Sequence, residues 1–165
     1  LGRKWRQALV EAGDEGPTVV ANVNDPLVAW SAQPARKVIW VDLGTDWSQD
    51  SALCPNCGSV LVHDEAGRWD CPGCELGEQV PDYRVDGDHV VMPDGERLRL
   101  DLQVPGRFNK GNAVCALAAA VEMGVKVIFI DAKGVPRDAR ELAGLIGQMG
   151  HTAVISGQGE SAATR

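Results

Sequence analysis

Apolar and polar positions follow changing rhythms along the chain, and each change of rhythm marks an element. From Arg3 to Ala12, the residues Trp5, Leu9 and Ala12 recur at helical spacing until Gly13 ends the pattern, which predicts a short amphipathic helix. Gly16-Pro17 then breaks the chain. Thr18-Val19-Val20-Ala21-Asn22 is a compact β-branched run suited to a buried parallel strand. In the turn that follows, Val23-Asn24-Asp25-Pro26, Asp25 is placed to cap a helix that has Pro26 at its first position and runs from Leu27 to about Ala32. Lys37-Val38-Ile39-Trp40-Val41 is a second buried-type strand. Strand, helix, strand is the βαβ signature of an α/β layer.

A polar segment, Asp42 to Asp50, leads out of that layer, and a different rhythm returns after residue 80. Val80 to Val85 and His89 to Met92 flank Asp86-Gly87-Asp88, a hairpin signal. Pro93-Asp94-Gly95 turns again, and Arg97-Leu98-Arg99-Leu100-Asp101-Leu102 alternates with period two, as a half-buried antiparallel strand does. The expected fold class is therefore α/β with a mixed sheet. Next, Val104-Pro105-Gly106 enters an Ala-rich helix whose small residues permit close packing on a sheet. Asn109 and Asn112 lie three apart at its start, so either their amides project together toward a polar ligand edge or Asn109 simply caps the helix. Cys115 reads as a small apolar filler of that helix. Lys126 to Asp131 and Thr152 to Ile155 read as strands, with a helix from Pro136 to Met149 between them. Residues 157–165 read as a disordered polar tail.

Between the two halves lie Cys54-Pro55-Asn56-Cys57-Gly58 and Cys71-Pro72-Gly73-Cys74. Two Cys-x-x-Cys knuckles can aim four thiolates at one point, the arrangement of a closed tetrahedral zinc site. A disulfide pair or unligated thiols would use the same residues, and iron in a rubredoxin-like site is the main competitor for the metal. Nothing in the chain suggests electron transfer, which favours zinc. Four thiolates leave no position open for water, so the site is expected to be structural. Ser59 to His63 and Gly67 to Asp70 suit a small hairpin that buries too little to fold without metal. His63 is expected on its surface.

The chain has 165 residues, 44% of them hydrophobic, enough for one core and a small insert. A net charge of −7 opposes attraction to phosphate backbones, so no nucleic-acid partner is expected. The insert repeats that sign, with Asp64, Glu65, Asp70, Glu75 and Glu78 against Arg68. No apolar run reaches membrane-spanning length and no signal-peptide core follows Leu1, which predicts a cytoplasmic chain, where paired thiols favour metal over disulfide. The first residue is not Met, and the chain is expected to be a fragment.

Gly106-x-Phe108-Asn109-x-x-Asn112-x-x-x-Ala116-x-Ala118-Ala119 resembles the Gly-x-His/Tyr-Asn-x-x-Asn motif of the Mur ligase central domain. Asn22-x-Asn24-Asp25-Pro26 resembles that family's Asn-x-Asp-Asp-Pro turn, with Asn24 in place of its first Asp. A four-cysteine ribbon between the two is similar to the MurT branch, the Mur-ligase-like subunit of lipid II isoglutaminyl synthase. The resemblance covers Arg3 to about Val125. It implies a Mur ligase central-domain-like mixed sheet with an inserted zinc ribbon: a partial ATP-binding domain over 1–156 carrying the ribbon at 51–80. It implies ATP-dependent amidation of the D-glutamate α-carboxylate of the lipid II stem peptide to D-isoglutamine, in peptidoglycan biosynthesis, with ammonia from a GatD-type glutamine amidotransferase. By the same resemblance Asn109 and Asn112 fall where the family contacts the adenine of ATP, which acts with magnesium, and Cys54, Cys57, Cys71 and Cys74 fall on its zinc ligands. Phe108 stands where many Mur ligases have His, as in MurT-type members. No Gly-Lys-Ser or Gly-Lys-Thr phosphate loop occurs in the 165 residues, and residues 126–165 do not match the family, so the chain is expected to be inactive alone. The other reading is a free-standing zinc-ribbon interaction module without catalysis.

Overall fold

The computed structural model describes residues 2–44, 51–100, 102, 106–124, 126–130 and 152–156, the last two segments by their backbone. Helix α1 (Gly2–Ala12) and a single 3₁₀ turn (Gly13–Glu15) precede β1 (Thr18–Asn22), α2 (Pro26–Ala32) and β2 (Lys37–Asp42). The ribbon holds β3 (Val62–His63) and β4 (Trp69–Asp70); β5 (Tyr83–Asp86), β6 (His89–Val91), β7 (Arg97–Arg99) and α3 (Arg107–Glu122) follow, then β8 (Lys126–Ile130) and β9 (Thr152–Ser156).

One five-stranded sheet runs in the order β1-β2-β5-β6-β7. β1 pairs with β2 in parallel from Thr18↔Lys37 to Asn22↔Val41, and β2 pairs with β5 in parallel through Val41↔Tyr83 and Asp42↔Arg84. The remaining pairs are antiparallel, β5 to β6 turning through Gly87-Asp88 between Asp86 and His89. The mixed α/β architecture is as the periodicities predict. The predicted strands over 80–85 and 97–102 are shorter, at Tyr83–Asp86 and Arg97–Arg99. Their face assignment holds nonetheless, because Leu98, Leu100 and Leu102 all pack on the core.

Strand β2 serves both faces of the sheet. Ile39 and Val41 join Tyr83, Val90, Leu100, Val114, Leu117 and Ala118 beneath α3, while Trp40 packs on the opposite side with Ala29 and Trp30 of α2. Gly111 is what lets α3 come this close: a Cβ there would lie 2.8 Å from Cδ1 of Leu43. Cys115 is partly buried against this core, and burial raises its thiol pKa, as befits an apolar filler. Lys37 and Glu122 tie the start of β2 to the end of α3 at 2.6 Å.

Asp25 caps α2 as predicted, its Oδ1 accepting from the backbone N–H of Leu27 at 2.8 Å and of Val28 at 3.3 Å, with Pro26 in the first turn. Helix α1 packs on α2 so closely that a Cβ on Gly2 would meet Ser31 Oγ at 2.7 Å. Leu9 alone is buried from α1, and Trp5 is 63% exposed, which corrects the expectation that Trp5 faces inward. The α1–α2 contact is carried by Arg6 instead, whose guanidinium donates to the Trp30 carbonyl and lies 4.7 Å from that indole's centroid.

β8 and β9 pair in parallel, Lys126↔Thr152 to Ile130↔Ser156, as a βαβ unit requires. The helix predicted over 136–149 and the tail over 157–165 lie outside the described residues. Among the described residues, no helix is long and apolar enough to cross a membrane.

Candidate metal centre

The two knuckles are backbone structures before they are ligand sets. In the first, Cys54 N–H donates to Ser59 O at 2.8 Å and Gly58 N–H to Cys54 O at 2.9 Å, with Gly58 at φ +78° where a side chain is disfavoured. In the second, Cys71 N–H donates to Leu76 O at 3.0 Å. Between them β3 and β4 pair as Val62↔Asp70 and His63↔Trp69, the predicted hairpin, turned at Asp64-Glu65-Ala66-Gly67. Asp64 holds that turn by accepting from the N–H of Ala66 and of Arg68, both at 2.9 Å, and by pairing with the Arg68 guanidinium at 2.7 Å.

This geometry brings Cys54, Cys57, Cys71 and Cys74 together, with all four Sγ atoms within 4.8 Å of one another. Sγ of Cys54 lies 3.6 Å from that of Cys74, and Cys57 lies 3.5 Å from Cys71. A tetrahedral zinc with Zn–S bonds of about 2.3 Å places its sulfurs about 3.8 Å apart, so the donor set, its number and its spacing fit that ion. Among the described residues no other group of three or more Cys, His, Asp or Glu side chains is gathered this way.

The four thiols are not alike. Cys54 and Cys71 are buried and Cys57 is exposed. Hydrogen bonding to Ser59 brings Cys57 down to about 6, whereas burial pushes Cys71 up to about 12. The side chain of Asn56 lowers Cys74. Gly73 closes the second knuckle against the first, since a Cβ on it would stand 2.1 Å from Ser59 Oγ and 3.2 Å from Cys57 Sγ.

The ribbon does not float free. Trp69, 2% exposed, packs with Cys54, Leu61, Cys71 and Leu76 on Ala29 of α2, with Trp30 and Trp40 beside them. Its Nε1–H donates to the carbonyl oxygen of Val23 at 3.0 Å. The hairpin therefore buries a real apolar cluster, which corrects the expectation that it buries almost nothing. His63 is likewise corrected: both ring nitrogens are buried, without a hydrogen-bond partner, rather than on the surface.

Asn24, to which no role attaches in sequence, braces the ends of two strands. Its Nδ2 donates to Asp42 Oδ1 at 3.0 Å and its Oδ1 accepts from Leu43 N–H at 2.8 Å. Asn109 and Asn112 both lie in α3, Asn109 partly buried and Asn112 exposed. The N-cap of α3 is Gly106, at φ +110°, so Asn109 is a first-turn residue and not the cap. The hairpin core and the Asn24 brace depend on partners distant in sequence, and no local pattern signals them or the burial of the His63 nitrogens.

No family model matches the chain. Over 40 residues, 24% of this chain and 9% of the relative's length, the sequence is 55% identical to the UDP-N-acetylmuramate–L-alanine ligase of Paenarthrobacter aurescens (strain TC1). The likeness to this Mur ligase covers about a quarter of the chain.

Proposed function

We propose that the chain is part of a MurT-type ligase that amidates the D-glutamate α-carboxylate of the lipid II stem peptide. The observation that carries this reading is the four-cysteine ribbon seated by Trp69 on the Asn22-to-Pro26 turn, in a chain that also shares a stretch with a Mur ligase. A carboxylate resists ammonia because its delocalised negative charge blunts the electrophilicity of its carbon and neither oxygen can depart as a leaving group. Transfer of the γ-phosphoryl group of ATP to one carboxylate oxygen gives an acyl phosphate; ammonia then forms the C–N bond as phosphate leaves. In this reading Asn109 and Asn112 meet the adenine, and the phosphate contacts come from outside these 165 residues, which contain no Gly-Lys-Ser or Gly-Lys-Thr.

Zinc on Cys54, Cys57, Cys71 and Cys74 would be structural: it would supply the crosslink that holds the ribbon, with no open position for chemistry. A free-standing zinc-ribbon module is less well supported, because the ribbon shares its apolar cluster with α2 and β2. The test is formation of isoglutamine, read by mass spectrometry of lipid II, from ATP, glutamine and a GatD-type amidotransferase. The complete reading frame that contains this sequence should give product, and the 165-residue chain alone should give none. Absence of product from the complete protein overturns the amidation reading; product from the chain alone overturns the missing-phosphate-site part of it.

A further inference from the structure

The four thiols of the metal centre differ in reach. Asn56, Cys57 and Gly58 are all exposed at the tip of the first knuckle, whereas Cys54 and Cys71 lie in the apolar cluster with Trp69. The residue that faces the Cys57 sulfur from the second knuckle is Gly73; a Cβ there would stand 3.2 Å away, so no side chain covers the sulfur on that side. Cys57 is thus the thiol that a small solute meets first.

Cys57 lies 3.5 Å from Cys71, and Cys54 lies 3.6 Å from Cys74, so each of these pairs takes one cysteine from each knuckle. Disulfide sulfurs sit about 2.0 Å apart, so either pair must close by about 1.5 Å to bond. A Cys57–Cys71 bond would span residues 58–70, which hold β3, β4 and the turn between them, and would tie the two ends of the hairpin together. A bond within one knuckle would span two residues and leave the hairpin open. Cys115 sits on α3, packed on the other core cluster, and is no partner to these four.

We propose that the four-cysteine centre is an oxidation site, entered by hydrogen peroxide at Cys57, and that a Cys57–Cys71 disulfide takes over from the ion the tie between the two knuckles. The Cys57 thiolate bonds to one peroxide oxygen as the O–O bond breaks and hydroxide leaves, which gives a sulfenic acid. The Cys71 thiolate then attacks the Cys57 sulfur; the S–S bond forms, the S–O bond breaks and a second hydroxide leaves. Two thiolates lose two electrons, and one peroxide becomes two hydroxides. Cys54 and Cys74 alone are too few to hold zinc, and a second peroxide joins them in the same way. The inference rests on the four-thiolate reading of the centre and stands apart from amidation.

The experiment adds hydrogen peroxide to the zinc-loaded chain carrying Cys115→Ala, which removes the one cysteine outside the centre. Elemental analysis fixes the metal content first, and the metal-free reduced chain is oxidised in parallel. A chromogenic chelator reads zinc release, dimedone traps sulfenic acid, and tandem mass spectrometry of the unreduced tryptic digest maps the disulfides. Trypsin cuts after Arg68 and puts the knuckles on separate peptides, so a bond between knuckles links the two peptides and a bond within one does not. Dimedone should label Cys57 first, Cys57–Cys71 should be the first linkage, and the bound zinc should be lost in step with it. Amides of β3 and β4 should then keep the hydrogen-exchange protection that a chelator alone removes. A chain that takes up no zinc fails the metal reading, while the linkages of the metal-free chain still decide the oxidation. A first linkage of Cys54–Cys57 or Cys71–Cys74, a first dimedone label on another cysteine, a disulfide formed with zinc retained, or no disulfide at all each overturns the proposal.

Discussion

The indole N–H of Trp69, on the ribbon, donates to the main-chain carbonyl of Val23, in the turn after β1, across 3.0 Å and with the ring 2% exposed. One side chain thus supplies both the apolar plug and the polar latch between insert and sheet. Trp69→Ala should cost about 3–5 kcal/mol, and Trp69→Phe, which keeps most of the plug and loses the latch, about 1 kcal/mol. Urea denaturation of the zinc-loaded protein separates the two; equal losses would mean that the hydrogen bond carries the joint.

The chain should hold one tightly bound zinc. Structural zinc contributes on the order of 10 kcal/mol of apparent folding free energy in small sites, so a strong chelator, or Cys54→Ser, should melt β3 and β4 while leaving the pairing of β1 with β2. Elemental analysis gives the stoichiometry, and hydrogen exchange shows which amides lose protection. Cobalt substitution should give the intense absorption of a four-thiolate tetrahedral site; iron with a rubredoxin-type spectrum in the native protein would assign the other metal.

Gly73→Ala should loosen the metal without removing a ligand. Its Cβ would stand 2.1 Å from Ser59 Oγ and 2.9 Å from Ser59 Cβ, so the serine that hydrogen-bonds Cys57 at 3.3 Å must move. Changes to groups that orient metal ligands typically cost 10- to 100-fold in affinity, and that range is expected in a competition assay with a chromogenic chelator. Adding Ser59→Gly should recover part of the loss.

Glu78 should make stability fall as pH rises from about 5 to about 7. Its carboxyl is held up to about 7 in the folded protein, chiefly by burial and then by Asp42, with Arg68 opposing and Asp64 adding to the rise. His63 and Arg84 line one cleft with Glu78. A raised carboxyl binds its proton more tightly when folded, so the advantage is complete below the unfolded pKa and is lost as pH climbs through the folded one. With its partial exposure discounted, the effect is on the order of 1 kcal/mol. Urea denaturation at saturating zinc should show that slope in the parent and a flatter one in Glu78→Gln.

The parts of this fold that announce themselves in sequence are those set by neighbours. Asp25 and Pro26 start α2 through contacts within one turn, β-branched runs become β1 and β2, and the knuckle spacing brings four sulfurs together. What stays hidden depends on partners far along the chain. Nothing near Trp69 says that it reaches Val23, and nothing near His63 says that its ring nitrogens are buried. Helical spacing gives α1 an apolar face but not its width, and so Trp5 reads as core and is 63% exposed. Asn109 three residues into α3 looks like a cap until the structure shows Gly106 in that place.

The parallel pairing of β2 with β5 joins Val41 to Tyr83 across the whole ribbon. Parallel neighbours need a crossover connection, ordinarily a helix, and here the four-cysteine ribbon fills that part of the chain. Closing so long a loop carries an entropic penalty that grows with its free length. An ion held by four thiolates, two from each knuckle, would shorten that free length before the strands meet. Such an ion would act as a timing device: it would decide whether β5 arrives at β2 as the end of a slack tether or as the near edge of a folded block.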